Sequence, residues 1–160
     1  MDKETYKKEL IEELGIHMED EYSLAPLPAR IFANLVITDE NGLTFEDCLT
    51  KRGASKSSIS TSLNLLLQLG MITYFTKSGD RKRYFKVTDH DKFFVQKLDQ
   101  AIKKVDNETY MMNKVIAYTK KYNPEKYNAR KINYDAYLQC IADSKECYDN
   151  AIKKLKKEID

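Results

Sequence analysis

Hydrophobic positions recur at intervals of three and four over most of the chain and change to alternation once, between residues 71 and 87. Tyr6, Leu10, Leu14 and Met18 form the first such row and predict a helix over about residues 3 to 20. The stretch SLAPLPAR is a proline-punctuated turn into a second helix, with Ile31, Leu35 and Val36 inward and TDENG as its end. Thr44 begins a short third helix, because Asp47 follows at capping-box spacing and Phe45, Cys48 and Leu49 supply an apolar face. KRGA then turns the chain into a fourth helix. Ser55 is its N-cap, Ile59, Leu63, Leu66 and Leu67 are its buried stripe, and Gly70 is its stop.

The alternating segment reads as a β-hairpin. MITYFT sets Ile72 and Tyr74 against polar neighbours, KSGD supplies turn residues, and RKRYFKV returns with Tyr84 and Phe85. Its tip consists of Lys77, Ser78, Gly79, Asp80, Arg81 and Lys82. Two short helices joined by a tight glycine-containing turn form a helix-turn-helix, and the basic hairpin after it makes this a winged helix.

Beyond the hairpin, Phe94, Leu98, Ala101 or Ile102, Val105, Met112, Ile116 and Thr119 keep helical spacing over about 26 residues, a rod of about 38 Å. A rod with such a seam needs a partner. The last helix offers one through Tyr134, Tyr137, Leu138, Ile141, Tyr148, Ile152 and Leu155; a symmetry mate offers another. The predicted fold is mainly α with a small β-wing, a winged helix-turn-helix with long helical dimerisation elements. Residues 1–23 are assigned to an N-terminal dimerisation helix, 24–90 to the winged helix-turn-helix, and 91–160 to a C-terminal helical dimerisation region.

Composition narrows the function. Two His and three Cys, with no C-x-x-C or H-x-x-x-H spacing, leave little for a metal site and argue against metal-dependent catalysis; no cofactor and no enzymatic activity are expected. His17 and His90 lack sequence-local partners and read as caps or surface residues. No apolar run reaches the ~20 residues that span a bilayer, and MDKETYKKEL is too charged for a signal peptide, so no membrane partner and a cytoplasmic location with reduced thiols are predicted. The net charge of +2 hides a segregation. Residues 1–50 carry 4 basic and 12 acidic side chains, a net −8; residues 51–86 carry 8 and 1, a net +7; residues 87–160 carry 15 and 12, a net +3. The positive block coincides with the fourth helix, whose outer face of Lys56, Ser57, Ser60, Thr61, Asn64 and Gln68 is polar and nearly uncharged. That combination is the footprint of a nucleic-acid contact.

Ala29-Arg30-Ile31, Ser55-Lys56 with Ser60, Leu69-Gly70 and Gly79-Asp80-Arg81-Lys82 resemble, in order and spacing, the winged-helix core of the multiple-antibiotic-resistance regulator (MarR) superfamily. The GbsR-like branch is the nearest. The resemblance covers roughly residues 24 to 90 and implies a dimeric transcriptional regulator, usually a repressor. The DNA-binding candidates are Ser55, Lys56, Ser57, Ser60, Thr61, Asn64, Lys77, Arg81, Lys82 and Arg83. Their expected partner is double-stranded DNA with an imperfectly palindromic operator, bound by a homodimer. A winged-helix module that binds protein instead of DNA is the alternative.

Asp80 is expected to orient a neighbouring Arg and leave Arg81 to reach a groove. Seven of the eleven tyrosines fall between residues 110 and 148. Their plain reading is an amphipathic interface; a quaternary-ammonium effector held by cation–π attraction, as is thought for some GbsR-like relatives, would involve Tyr110 and Tyr118. Cys140 and Cys147 share a helical face and invite a redox-sensor reading, yet about 10 Å of rise rules out a bridge within one helix and leaves only one between subunits. Their plain reading is small buried side chains.

Overall fold

Ile31, Leu43, Ile59 and Leu66 are the large side chains most completely removed from water, and together they mark the core of the first of two compact units, residues 1–89. The computed structural model describes residues 2–157, the side chains of residues 90 and 91 excepted. The first unit runs α1 (Lys3–Tyr22), α2 (Pro26–Ile37), β1 (Leu43–Thr44), α3 (Phe45–Arg52), α4 (Lys56–Gln68), β2 (Ile72–Thr76) and β3 (Arg83–Val87). The three strands form an antiparallel sheet in the order β1-β3-β2. This is a winged helix, mainly α with a small sheet, as the sequence predicts.

Local chemistry accounts for the boundaries. Thr44 Oγ1 accepts from the Asp47 amide at 3.1 Å while Asp47 Oδ2 accepts from the Thr44 amide at 2.8 Å, the reciprocal capping box. Gly53, at φ 61°, ends α3 in the left-handed region that a side chain disfavours. At the end of α4 the Gly70 amide donates to Leu67 O and the Met71 amide to Leu66 O, with Gly70 at φ 69°; this double closure is a Schellman motif.

The pairing of β1 and the buried face of α1 depart from the sequence reading. β1 is unanticipated: Leu43 pairs with Phe85 and Thr44 with Tyr84, but two residues are too few to display a period. The buried face of α1 consists of Ile11, Gly15 and Met18, whereas Tyr6 is exposed and Leu10 and Leu14 are half-buried. The cause is Arg30 of α2, whose side chain lies across Gly15. A Cβ there would stand 2.9 Å from Arg30 Cδ. Glu12 and Glu19, on either side of Gly15 along the helix, pair with that guanidinium, and Glu12 also reaches Arg52 of α3 at 3.4 Å. The contact face of α1 therefore centres on a glycine flanked by carboxylates.

The second unit, residues 90–160, is an antiparallel pair of helices, α5 (His90–Tyr122) and α6 (Pro124–Lys157). Asn123 joins them, its amide donating to Thr119 O and its Oδ1 accepting from the Lys126 amide. At 33 and 34 residues the helices are each about 50 Å long, so the first runs further than its apolar seam predicts. Ile141, Ile152 and Thr119 are buried; Leu98, Ile102, Val105, Met112, Ile116, Leu138, Tyr148 and Leu155 are half-buried. Lys145 pairs with Asp106 at 2.6 Å and the Tyr137 hydroxyl donates to Glu108 across the hairpin. Among the described residues no helix is long and apolar enough to cross a membrane.

Ile59 is wholly buried. Ile59→Ala should lower unfolding free energy by about 2–5 kcal/mol, read by denaturant titration, because it opens a cavity under α4. Glu12 supplies a pH effect of definite sign. The hydrogen bond from Arg30 and the charges of Arg30 and Arg52 hold its carboxyl below the ordinary value of 4.5. The stabilisation is therefore complete above that value and is lost as pH falls through the lower, folded one. Glu12→Gln should flatten this part of the acid limb of a stability–pH curve and leave its shape at neutral pH unchanged.

Candidate nucleic-acid interface

The cap of α4 consumes one of the candidates. Ser55 Oγ accepts from the Ser58 amide at 3.2 Å and lies 3.1 and 2.8 Å from the hydroxyls of Ser57 and Ser58. Ser55 thus fixes where the helix begins, and Ser57 is drawn into the same hydroxyl cluster. Behind it, Ile59, Leu63 and Leu66 are buried, and Ser62, also buried, is satisfied by donating to Ser58 O at 2.8 Å. Lys56, Ser57, Ser60, Thr61, Asn64 and Gln68 are all exposed. Among the described residues, the side chains of Lys56, Ser60, Thr61, Asn64 and Gln68 enter no hydrogen bond or ion pair. The helix offers an ordered row of unused donors and acceptors.

The wing is set by pairing of β2 with β3, Thr76 opposite Arg83 and Phe75 opposite Tyr84. Its tip closes with the Asp80 amide donating to Lys77 O at 3.0 Å and Gly79 at φ 77°. The sequence expectation for Asp80 is overturned here. Its Oδ1 accepts from the Lys82 amide at 2.9 Å and its Oδ2 from the Tyr84 hydroxyl at 2.7 Å, so it orients backbone and a phenol rather than an arginine. An aspartate at a turn reaches the amide two residues on more readily than a long side chain beside it. These two bonds, Lys82 first, hold its carboxyl below the usual carboxylate range.

The cations of the wing differ in freedom. Lys77 Nζ lies 4.0 Å over the Tyr84 ring and the Arg83 guanidinium 4.7 Å over the Tyr74 ring. The side chains of Arg81 and Lys82 are exposed, and among the described residues neither has an ion-pair or ring partner. A cleft of about 380 Å³ between α3, α4 and the wing brings Ser60, Leu63 and Asn64 together with Arg81, Lys82 and Arg83. Lys56, Ser57, Thr61 and Lys77 lie outside its lining. Glu46, in the first turn of α3, lines the cleft and is absent from the sequence candidates. An acidic residue at a helix start carries only the signal of a dipole partner.

The other singled-out residues do not assemble into chemistry. Among the described residues no group of His, Cys, Asp and Glu could hold a metal ion. His17 is exposed on α1, and the His90 side chain lies outside the described residues. Cys48 is buried, and desolvation pushes its thiol up to about 11, so it stays protonated and unreactive at neutral pH. Cys140 and Cys147 are free and exposed, contrary to the expectation that they fill small buried spaces. Tyr110 and Tyr118 are 58% and 66% exposed and stand about 12 Å apart along α5. Lys114 covers Tyr110 at 4.6 Å, and Tyr118 meets Tyr122 at 5.0 Å.

No family model matches the chain. It is 33% identical over 79 residues to the HTH-type transcriptional regulator MmpR5 of Mycobacterium tuberculosis (strain ATCC 25618 / H37Rv), a match over 49% of this chain and 47% of that protein. The chain thus matches about half the length of that curated relative. Among solved structures, one described as a crystal structure of a transcriptional regulator superposes over 94% of this chain and 98% of that one, with a TM-score of 0.57 and 20% identity. A mutant of S. aureus MepR covers 86% and 91% at 16% identity, with a TM-score of 0.41, too loose a superposition to bear on the fold. The chain has the fold of a transcriptional regulator of known structure and, over half its length, sequence similarity to a helix-turn-helix regulator.

Proposed function

We propose that this protein is a homodimeric, sequence-specific DNA-binding transcriptional regulator of the MarR type, closest to the GbsR-like branch, and a repressor that occludes a promoter. The observation that carries the reading is the cleft in which unused Ser60 and Asn64 of α4 meet the partner-free cations Arg81 and Lys82 of the wing. Short neutral polar side chains can meet base edges without repelling either strand, while the flanking cations take phosphates or enter a narrow minor groove. Similarity to the HTH-type transcriptional regulator MmpR5 supports the transcriptional-regulator part of this assignment. In this reading α4 is the recognition helix, Ser55 is its structural cap, Lys56 and Lys77 assist from the flanks, and the protein acts in the cytoplasm without enzymatic chemistry.

Dimerisation is supported by α5. Met111, Val115, Tyr118 and Tyr122 follow one another at spacings of four, three and four and are each about half or more exposed. A continuous apolar row of this kind on a helix of a two-helix unit suits burial against a second copy. Residues 91–160 then supply the greater part of the interface, with residues 1–23 contributing. An effector, if one acts, would shift the balance between two dimer conformations through a difference in affinity for them.

Two measurements test this. Footprinting and sedimentation should find a dimer on an imperfect palindrome with half-site centres ~10 bp apart; protection of one half-site by a monomer would overturn the dimer, and absence of duplex binding would favour a protein-binding module. Arg81→Ala should weaken binding to all duplexes and lower the salt slope by about 1. Asn64→Ala should cost about 1–3 kcal/mol on the operator and little on random DNA.

A further inference from the structure

We propose that Tyr84 is a positioning residue for the nucleic-acid contact: its hydroxyl, bonded to Asp80, holds the wing tip in the shape that presents Arg81 and Lys82. The inference rests on the DNA-binding reading above and adds to it a residue that touches no nucleic acid in that reading.

The tip is six residues long, Lys77 to Lys82, and includes a left-handed glycine. Such a loop loses much conformational freedom when it is ordered, and free cations on a loose loop would surrender that entropy on binding. Tyr84 is placed to remove the freedom beforehand. It sits in the middle strand of the sheet, opposite Phe75 of β2 and Thr44 of β1, with its ring stacked on Phe75 at 5.5 Å and 22°. From this anchored ring the hydroxyl reaches back four residues to Asp80 Oδ2 at 2.7 Å. The other carboxylate oxygen takes the Lys82 amide at 2.9 Å. The Asp80 amide closes on Lys77 O, and Lys77 Nζ rests 4.0 Å from the ring centroid of Tyr84. One phenol therefore fixes residues on both sides of Arg81 while leaving the Arg81 side chain unengaged.

The bond also answers a difficulty in the charge pattern. Asp80 is the single acidic residue between 51 and 86, and it stands in the tip that would face phosphates. A carboxylate with free oxygens there would repel the ligand. With one oxygen on the Lys82 amide and the other on the Tyr84 hydroxyl, its charge serves as the internal fastening of the loop. The directions of both ionisations agree with this: the carboxyl is lowered, by the Lys82 amide first and Tyr84 next, and the phenol is raised, by Asp80 first.

Tyr84→Phe removes the hydroxyl and leaves the Phe75 stack and strand pairing in place. In the free protein, amide exchange of Lys82 should accelerate about tenfold with the melting temperature unchanged. Affinity for an operator duplex should fall about tenfold. Because Tyr84 acts through Arg81, Arg81→Ala should cost clearly less in the Tyr84→Phe background than in the wild type, although the two side chains share no contact. Unchanged Lys82 exchange in Tyr84→Phe would overturn the fastening, and strictly additive losses of affinity would overturn the positioning role. A wild-type protein that binds no duplex DNA, with Lys82 protected as described, would instead overturn the reading on which the proposal rests.

Discussion

The first unit depends on α4 being gripped from one side alone. Ile59, Leu63 and Leu66 are buried, as are Ile31 and Phe32 of α2, Leu43 of β1 and Phe85 of β3; α4 packs chiefly on α2, with α3 and β2 beside it, and its opposite face is bare. Burial of this kind is worth roughly 1.5–3 kcal/mol per large apolar side chain, so the helix is held without asking anything of its polar residues. The consequence is a free polar face. Ser60, Thr61 and Asn64 are spared from structural duty because the stripe behind them does all the holding, and Ser55, which is not spared, stands at the cap.

What the sequence makes legible is what is local. The capping box at Thr44 and Asp47, the cap at Ser55, the closure at Gly70 and the hairpin tip at Gly79 each depend on residues within a few positions, and all are where the pattern puts them. The misreadings are of contacts between elements. Tyr6, Leu10 and Leu14 form a better apolar row than Ile11, Gly15 and Met18, but only the second row can admit Arg30, fifteen positions further on. β1 exists because β3 has an open edge for it, a fact of tertiary structure. Asp80 had an arginine beside it and a tyrosine four residues away; the antiparallel geometry of the strands decided for the tyrosine. Of the candidate site, Ser60, Asn64, Arg81, Lys82 and Arg83 are gathered in one cleft, whereas Glu46 enters it from α3 without any pattern to announce it.

The ion pairs of α1 illustrate how acidic and basic segments of one chain are reconciled. Glu12 and Glu19 neutralise Arg30, and Glu12 also meets Arg52, the basic residue that ends α3 just before the turn into α4. Arg52 is only 18% exposed at its side chain, and Arg30 17%. Partly buried guanidinium groups require such partners, since an unpaired charge removed from water is costly. The acidic character of the N-terminal segment is therefore in part a requirement of the helix-turn-helix it packs against.

This reconciliation also limits how much of the positive block can act on a ligand. Of the eight cations between residues 51 and 86, Arg52 is paired with Glu12, and Lys86 lies 3.8 Å from Asp89. Lys77 and Arg83 keep their charges, but aromatic rings set their positions. Lys51 is exposed in the last turn of α3, outside the candidate face, and Lys56, Arg81 and Lys82 remain as the exposed cations of that face, one at the start of α4 and two at the wing tip. Any long-range attraction for an anionic polymer would come from the whole block, because attraction over a Debye length of about 8–10 Å sums over charges irrespective of their local partners. Close contact is different, since it needs side chains that can leave their present positions without breaking a bond. By that criterion the surface combines a broad, weakly directional positive field with a few unengaged cations, and the neutral row on α4 lies between them.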